Sequence, residues 1–202
     1  MSRMAWAREI QAIAQTGLAF EPNQWDRERY ERLRRLAAEM MSAEDADQLE
    51  ATFSRESGYA TPKADVRAAA FRDGHILLVR EVADEHRWTL PGGWADVGLT
   101  AAENAAKEMR EESGFLVRVD KLAAVLDRTR QGHPEAPFHA YKHFFICTII
   151  GGAATPSNET SEIGFFAEDA LPADLSVERT TKAQLHLMFA HHRDPGRATD
   201  YD

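Results

Sequence analysis

An α/β domain layered around a mixed sheet, preceded by a small all-helical segment, is the fold class that the sequence predicts. Three observations predict it. The first 57 residues place apolar side chains at helical spacing and hold no strand-like run. From residue 65 onward, short β-type runs interleave with helical stretches. Some of those runs are joined by hairpin turns and others are separated by a helix, the pattern of a mixed sheet.

The elements follow in order. Ala7, Ile10, Ala14 and Leu18 mark a first helix, which Gly17 is expected to end. Asp26 is expected to cap a second, with Tyr30, Leu33, Ala37, Met40 and Met41 as its apolar stripe. Ser42 opens a short third helix. A polar connector with Gly and Pro, residues 54–62, separates a helical extension (1–57) from the main domain (58–202). There, residues 66–71 and 75–82 read as strands around the Asp73-Gly74 turn. Trp88, Thr89 and Leu90 lead into a Gly-rich loop, a helix spans about 100–113, and Gly114 stops it. Strands are expected at 115–126, 138–150 and 163–166, and a closing helix at 180–192.

Composition narrows the function. The chain has 202 residues, 44% hydrophobic and 28% charged, which excludes a disordered or fibrous protein. A net charge of −9 argues against nucleic acid as partner. Residues 1–57 hold eight basic against eleven acidic side chains, so the arginines near residue 30 read as a salt-bridged helix face. Cys147, alone of its kind and inside an apolar run, reads as a buried inert thiol. No run approaches the ~20 apolar residues of a membrane span, and the N-terminus has no signal-peptide core. A cytoplasmic location without membrane contact is expected.

The chemistry concentrates in residues 92–115. Glu108, Glu111 and Glu112 fall within about 100° of arc on one helix. Like charges so placed repel by a few tenths of a kcal/mol per pair. A hard divalent cation such as Mg²⁺ would offset this, since it takes carboxylate and carbonyl oxygens and bridges phosphates. The glycines before the helix let backbone approach such an ion. Gly93, Gly98 and Thr100 also have P-loop spacing, but Leu99 stands where the P-loop needs Lys.

The segment resembles the box of Nudix hydrolases, G-x5-E-x7-R-E-U-x-E-E-x-G-U with U apolar. Gly93, Glu108, Met109, Glu111, Glu112, Gly114 and Phe115 fill seven of nine specified positions. Leu99 replaces the expected Glu and Lys107 the expected Arg, a substituted support pair. The flanking residues 88–93 and 162–172 are also similar. The N-terminal segments 10–18 and 26–30 resemble the helical extension of a bacterial Nudix subfamily that includes CDP-choline-type and ADP-ribose-type pyrophosphatases.

The resemblance implies a Nudix-type α/β/α sandwich and Mg²⁺-dependent hydrolysis of a nucleoside diphosphate linked to a group X, with Mn²⁺ a substitute. The products would be a nucleoside monophosphate and phospho-X. It assigns the metal to Glu108, Glu111, Glu112 and the Gly92 carbonyl, and the base to one of these glutamates or to Glu159 or Glu162. Arg80, Arg128, His133 and Lys107 are candidate substrate contacts. His139 and His143 lack partners at zinc spacing and read as structural. The helical extension needs a partner surface, either the main domain or a second subunit, so a homodimer is expected. Two other functions compete: a degenerate box that binds a nucleotide metabolite without turnover, and hydrolysis at an RNA end.

Overall fold

The computed structural model describes residues 2–202. The chain divides into two compact units, the first being the chain up to Pro62 with Glu135–His139, the second Lys63–Pro134 with Ala140–Asp202. Among the described residues, no helix is long and apolar enough to cross a membrane.

The first unit holds α1 (Arg3–Ala19), α2 (Gln24–Met41) and α3 (Ala46–Arg55). Gly17 does not end α1. It lies inside the helix because the Tyr30 ring packs on it, and a Cβ there would stand 2.4 Å from Tyr30 Cζ. Asn23, not Asp26, caps α2, and its side chain accepts from the Asp26 N–H at 3.0 Å. Ser42 is the C-cap of α2 and does not open α3, whose N-cap is Asp45; the Ser42 hydroxyl accepts from the Asp45 N–H at 3.2 Å. Arg35 binds Glu39 and Glu50 at 2.8 and 3.0 Å and also Asp47, so the basic face of α2 is salt-bridged to α3. Ala7, Ala38, Met41 and Phe53 form the core, with Phe138 against it. Ser2 donates to Glu135 at 2.7 Å and Arg8 to the Ala136 carbonyl at 3.3 Å. These bonds hold 135–139 in the first unit, so the strand expected from 138 starts at Ala140, and Phe138 and His139 lie outside it.

In the second unit, β1 (Lys63–Arg72) and β2 (His75–Glu81) form the expected hairpin, with Asp73 and Gly74 at φ 49° and 75°. β3 (Arg87–Thr89), α4 (Ala101–Ser113), β4 (Phe115–Asp127), β5 (Ala140–Gly152), β6 (Thr160–Phe166), α5 (Lys182–Arg193) and β7 (Asp200–Tyr201) follow. The strand order is β3-β2-β1-β5-β4-β7, with β6 paired to β2. β1 runs parallel to β5, and β4 to β7; the other pairs are antiparallel. Val66, Ala68 and Ala70 pack with Ala105 and Met109 of α4. Ala69, Ile76 and Leu78 pack with Leu185, Met188 and Phe189 of α5. A sheet covered on both faces explains why β1 and β2 read as nearly continuous apolar runs. Burial pushes the Cys147 thiol up to about 12, which leaves it inert at neutral pH.

α4 carries the candidate site, and its ends are well defined. Thr100 and Glu103 form a reciprocal capping box, and Gly114 closes the helix at φ 75°. Thr100→Ala is expected to cost about 1 kcal/mol, measurable as a lower urea midpoint.

Candidate active site

The loop ahead of α4 lies along β1. Ala68 N–H donates to Pro91 O, Val66 N–H to Gly93 O and Ala95 N–H to Ala64 O, each at 2.9 Å. Gly92 sits between the first two contacts at φ 146°, where a Cβ would stand 2.0 Å from the Val66 carbonyl oxygen. Its N–H donates to Glu112 Oε2 at 3.0 Å. A Cβ on Gly93 would stand 3.4 Å from Glu108 Oε2, so the loop passes directly over Glu108. The Glu112 carbonyl accepts from the Thr160 hydroxyl at 2.5 Å, which ties the start of β6 to the same turn of α4.

Glu112 is 3% exposed, and burial pushes its carboxyl up to about 8. Glu108 and Glu81 add to that rise, while Arg67 and the Gly92 N–H oppose it. The Glu108 carboxyl is also raised, first by burial and then by Glu111 and Glu159, against the pull of Lys107. Glu111 turns toward solvent and binds Lys107 at 2.7 Å. The helix therefore sets Glu108 and Glu112 beside Gly92, with Glu81 and Glu159 near enough to act on them and Glu111 turned aside. Among the described residues, no three His, Cys, Asp or Glu side chains converge as a finished metal cage. The donor chemistry nevertheless fits a hard divalent ion. Two carboxyls raised chiefly by burial, with neighbouring carboxylates adding to the rise, are oxygen donors short of positive charge.

Lys107 bridges Glu111, Asp96 at 3.3 Å and Glu108 at 3.4 Å, and Glu111 holds its ammonium well above the usual lysine range. It is a counter-ion within the carboxylate cluster. Leu99 is exposed and supports nothing there. Asn104 instead fastens the loop to the helix. It accepts from Asp96 N–H at 2.9 Å and donates to the Asp96 and Thr100 carbonyls at 3.3 and 3.2 Å.

Arg80 reaches past its sequence neighbours Glu81 and Asp84. It binds Asp174 at 2.7 Å and Glu162 at 3.7 Å, with its guanidinium 5.2 Å from the Trp88 ring centre. Glu81 and Asp84 face Arg179, at 3.4 and 3.7 Å. Arg128 is buried, donates to Pro134 O at 2.7 Å and pairs with Glu178. His133 donates from Nδ1 to Val177 O at 2.7 Å and accepts at Nε2 from Gln184 at 2.9 Å, a pairing that assigns the neutral Nδ1–H tautomer. These bonds latch the loop after β4 onto the chain ahead of α5 and onto the first turn of that helix. Burial, with Lys142 and Arg128 adding, lowers His133 to about 4. Between pH 6.5 and about 4 the unfolded chain then binds more protons at this site than the folded one. Stability is expected to fall as pH drops through that window, and His133→Gln is expected to flatten the dependence of the urea midpoint on pH.

Sequence reasoning missed Arg67, Asp65, Lys142, Glu81 and Asn104. The available signal was charge within apolar strands. Asp65, Arg67 and Lys142 are 5%, 4% and 2% exposed. Asp65 lies opposite Lys142 in the β1/β5 register, a pairing that only the parallel sheet creates.

Residues 61–186 match the family described as NUDIX domain, and residues 2–52 match the UDP-X-like, N-terminal oligomerisation domain. The chain is 47% identical over 199 residues to "Putative ADP-ribose pyrophosphatase YjhB" of Bacillus subtilis, covering 97% of this chain and 95% of that protein. A crystal structure of an ADP-ribose pyrophosphatase from Streptococcus suis is similar with a TM-score of 0.64 and 38% identity, covering 70% of this chain and all of that one (100%). A crystal structure of UDP-X diphosphatase matches with a TM-score of 0.64 and 37% identity, covering 98% of this chain and 97% of that one.

Proposed function

The chain belongs to the Nudix hydrolase family, and from that premise we propose that it cleaves the pyrophosphate bond of a nucleoside diphosphate linked to a second group, with ADP-ribose and UDP-linked compounds ahead of CDP-choline as substrates. Water adds across the P–O–P bridge, giving a nucleoside monophosphate and the phosphorylated second group. The observation that carries this reading is the buried Glu112 carboxylate, held by the Gly92 N–H beside Glu108. The two relatives named as ADP-ribose pyrophosphatases and the UDP-X diphosphatase structure favour the substrate order.

Glu108, Glu112 and the Gly92 carbonyl would hold Mg²⁺ or Mn²⁺, with Glu111 joining on release from Lys107. When bound, the ion supplies positive charge against the charge that develops on the phosphate oxygens. Glu159 is the better candidate to take the proton of the attacking water, because its charge acts on Glu108 whereas Glu162 faces Arg80. Arg80 would exchange Asp174 for a substrate phosphate, and two charged oxygens suit its fork. Arg128 and His133 would shape the site through their latch, and Lys107 would offset the mutual repulsion of Glu108 and Glu111 in the metal-free protein.

The proposed organisation is a helical extension at 1–57 and a catalytic domain at 58–202, working as a homodimer in the cytoplasm. Trp6, Ile13, Phe20 and Trp25 are exposed on the first unit, and the family matched there is named for oligomerisation. The function is tested by incubating ADP-ribose, UDP-glucose, CDP-choline and a 5′-labelled oligonucleotide with Mg²⁺ or Mn²⁺. Release of AMP or UMP with the matching sugar phosphate is expected. Tight binding of ADP-ribose without turnover would replace the reading with that of a sensor, for which the engagement of Glu108 and Glu111 by Lys107 is the motivating contact.

A further inference from the structure

We propose that the buried Asp65–Arg67–Lys142 cluster of β1 and β5 is a positioning device for the carboxylate site, acting through the backbone of residues 90–92. The inference rests on the proposed pyrophosphatase reading for its kinetic consequence, but not for its structural one.

Arg67 forks onto Asp65 with two bonds, Nε to Oδ1 at 3.0 Å and Nη2 to Oδ2 at 2.7 Å. Lys142 holds the same carboxylate at 2.7 Å. All three side chains are almost wholly buried, so the geometry of the guanidinium is fixed from behind. Its remaining arm, Nη1, donates to the Leu90 carbonyl at 3.2 Å. Two residues on, the Gly92 N–H meets Glu112 at 3.0 Å. The tripeptide 90–92 is thus gripped at one end by a side chain of β1 and at the other by the buried glutamate of α4. Arg67 attracts both Glu112 and Glu81, which at Glu112 offsets part of the burial that raises its carboxyl. Leu99 and Lys107 stand where the box pattern places an acid and an arginine as a support pair. The anchor for the loop comes instead from the sheet side, through Arg67.

The test uses the full-length protein, with Arg67→Met and Arg67→Lys. In metal-free protein, amide exchange at Gly92 is expected to quicken at least tenfold in Arg67→Met, while amides in the centre of β5 keep their rates. With Mg²⁺ and ADP-ribose, kcat is expected to fall about 100-fold with KM within threefold. Arg67→Lys keeps the charge but cannot reach Asp65 and Leu90 together. It should show the same pattern at roughly a tenth of the kinetic effect, and it carries the test if Arg67→Met does not fold. Unchanged Gly92 exchange in the folded variant, or faster exchange spread evenly over the sheet, overturns the proposal. Absence of turnover in the wild-type protein would sink the pyrophosphatase reading alone, and the exchange result would still decide this one.

Discussion

Glu112→Gln is expected to abolish nearly all turnover, by about a thousandfold or more, while the metal-free protein unfolds at the same temperature or a higher one. The split follows from the site. Glutamine keeps the side-chain length and an oxygen that accepts the Gly92 N–H at the 3.0 Å position. It lacks the charge whose burial pushes the glutamate up to about 8. Removing a buried charge that repels Glu108 and Glu81 relieves the folded state. The same removal takes away a donor for the divalent ion. A thousandfold drop corresponds to about 4 kcal/mol of lost transition-state stabilisation. Steady-state kinetics with Mg²⁺ and ADP-ribose, paired with a thermal melt, reads both halves. Wild-type turnover in Glu112→Gln would remove this carboxylate from the mechanism.

Gly92→Ala and Gly93→Ala, one residue apart, are expected to fail in different ways. At Gly92, φ is 146° and the added carbon would meet the Val66 carbonyl at 2.0 Å and Arg67 Cα at 2.9 Å. Backbone on both sides cannot yield without breaking the β1 contacts of Pro91 and Gly93. A loss of about 3 kcal/mol or more is expected, seen as a collapse of the urea midpoint or as insoluble protein. At Gly93, the methyl would meet only the end of the Glu108 side chain, at 3.4 Å. That variant is expected to fold with a nearly normal midpoint, since 3.4 Å is ordinary van der Waals contact, and to lower turnover by setting a methyl against the Glu108 carboxylate. Equal stability losses in the two variants would contradict the loop path described above.

Much of this site is legible in the chain. The spacing of Glu108, Glu111 and Glu112 behind Gly92 and Gly93 places three carboxylates on one helix face, and local helical geometry is enough for that. Spacing cannot show that the three diverge. Glu112 is driven inward by the loop, Glu108 lies under Gly93, and Glu111 is drawn out by Lys107. Arg80 is readable as a basic residue at the end of a strand, but its partner Asp174 lies 94 residues away. Gly17 reads as a stop, yet the Tyr30 ring that needs its bare backbone belongs to another helix and keeps it inside α1.

The sequence by itself determined the helical extension, the mixed α/β domain and the acidic turn of α4. Those follow from periodicity, caps and turn residues, which act over a few neighbours. Only the tertiary structure decided the register that sets Asp65 against Lys142, the grip of Arg67 on Leu90, and the burial that raises the Glu112 carboxyl. Burial and cross-strand pairing are properties of distant segments brought together, and the energy of a charge depends on that surrounding far more than on its neighbours in the chain.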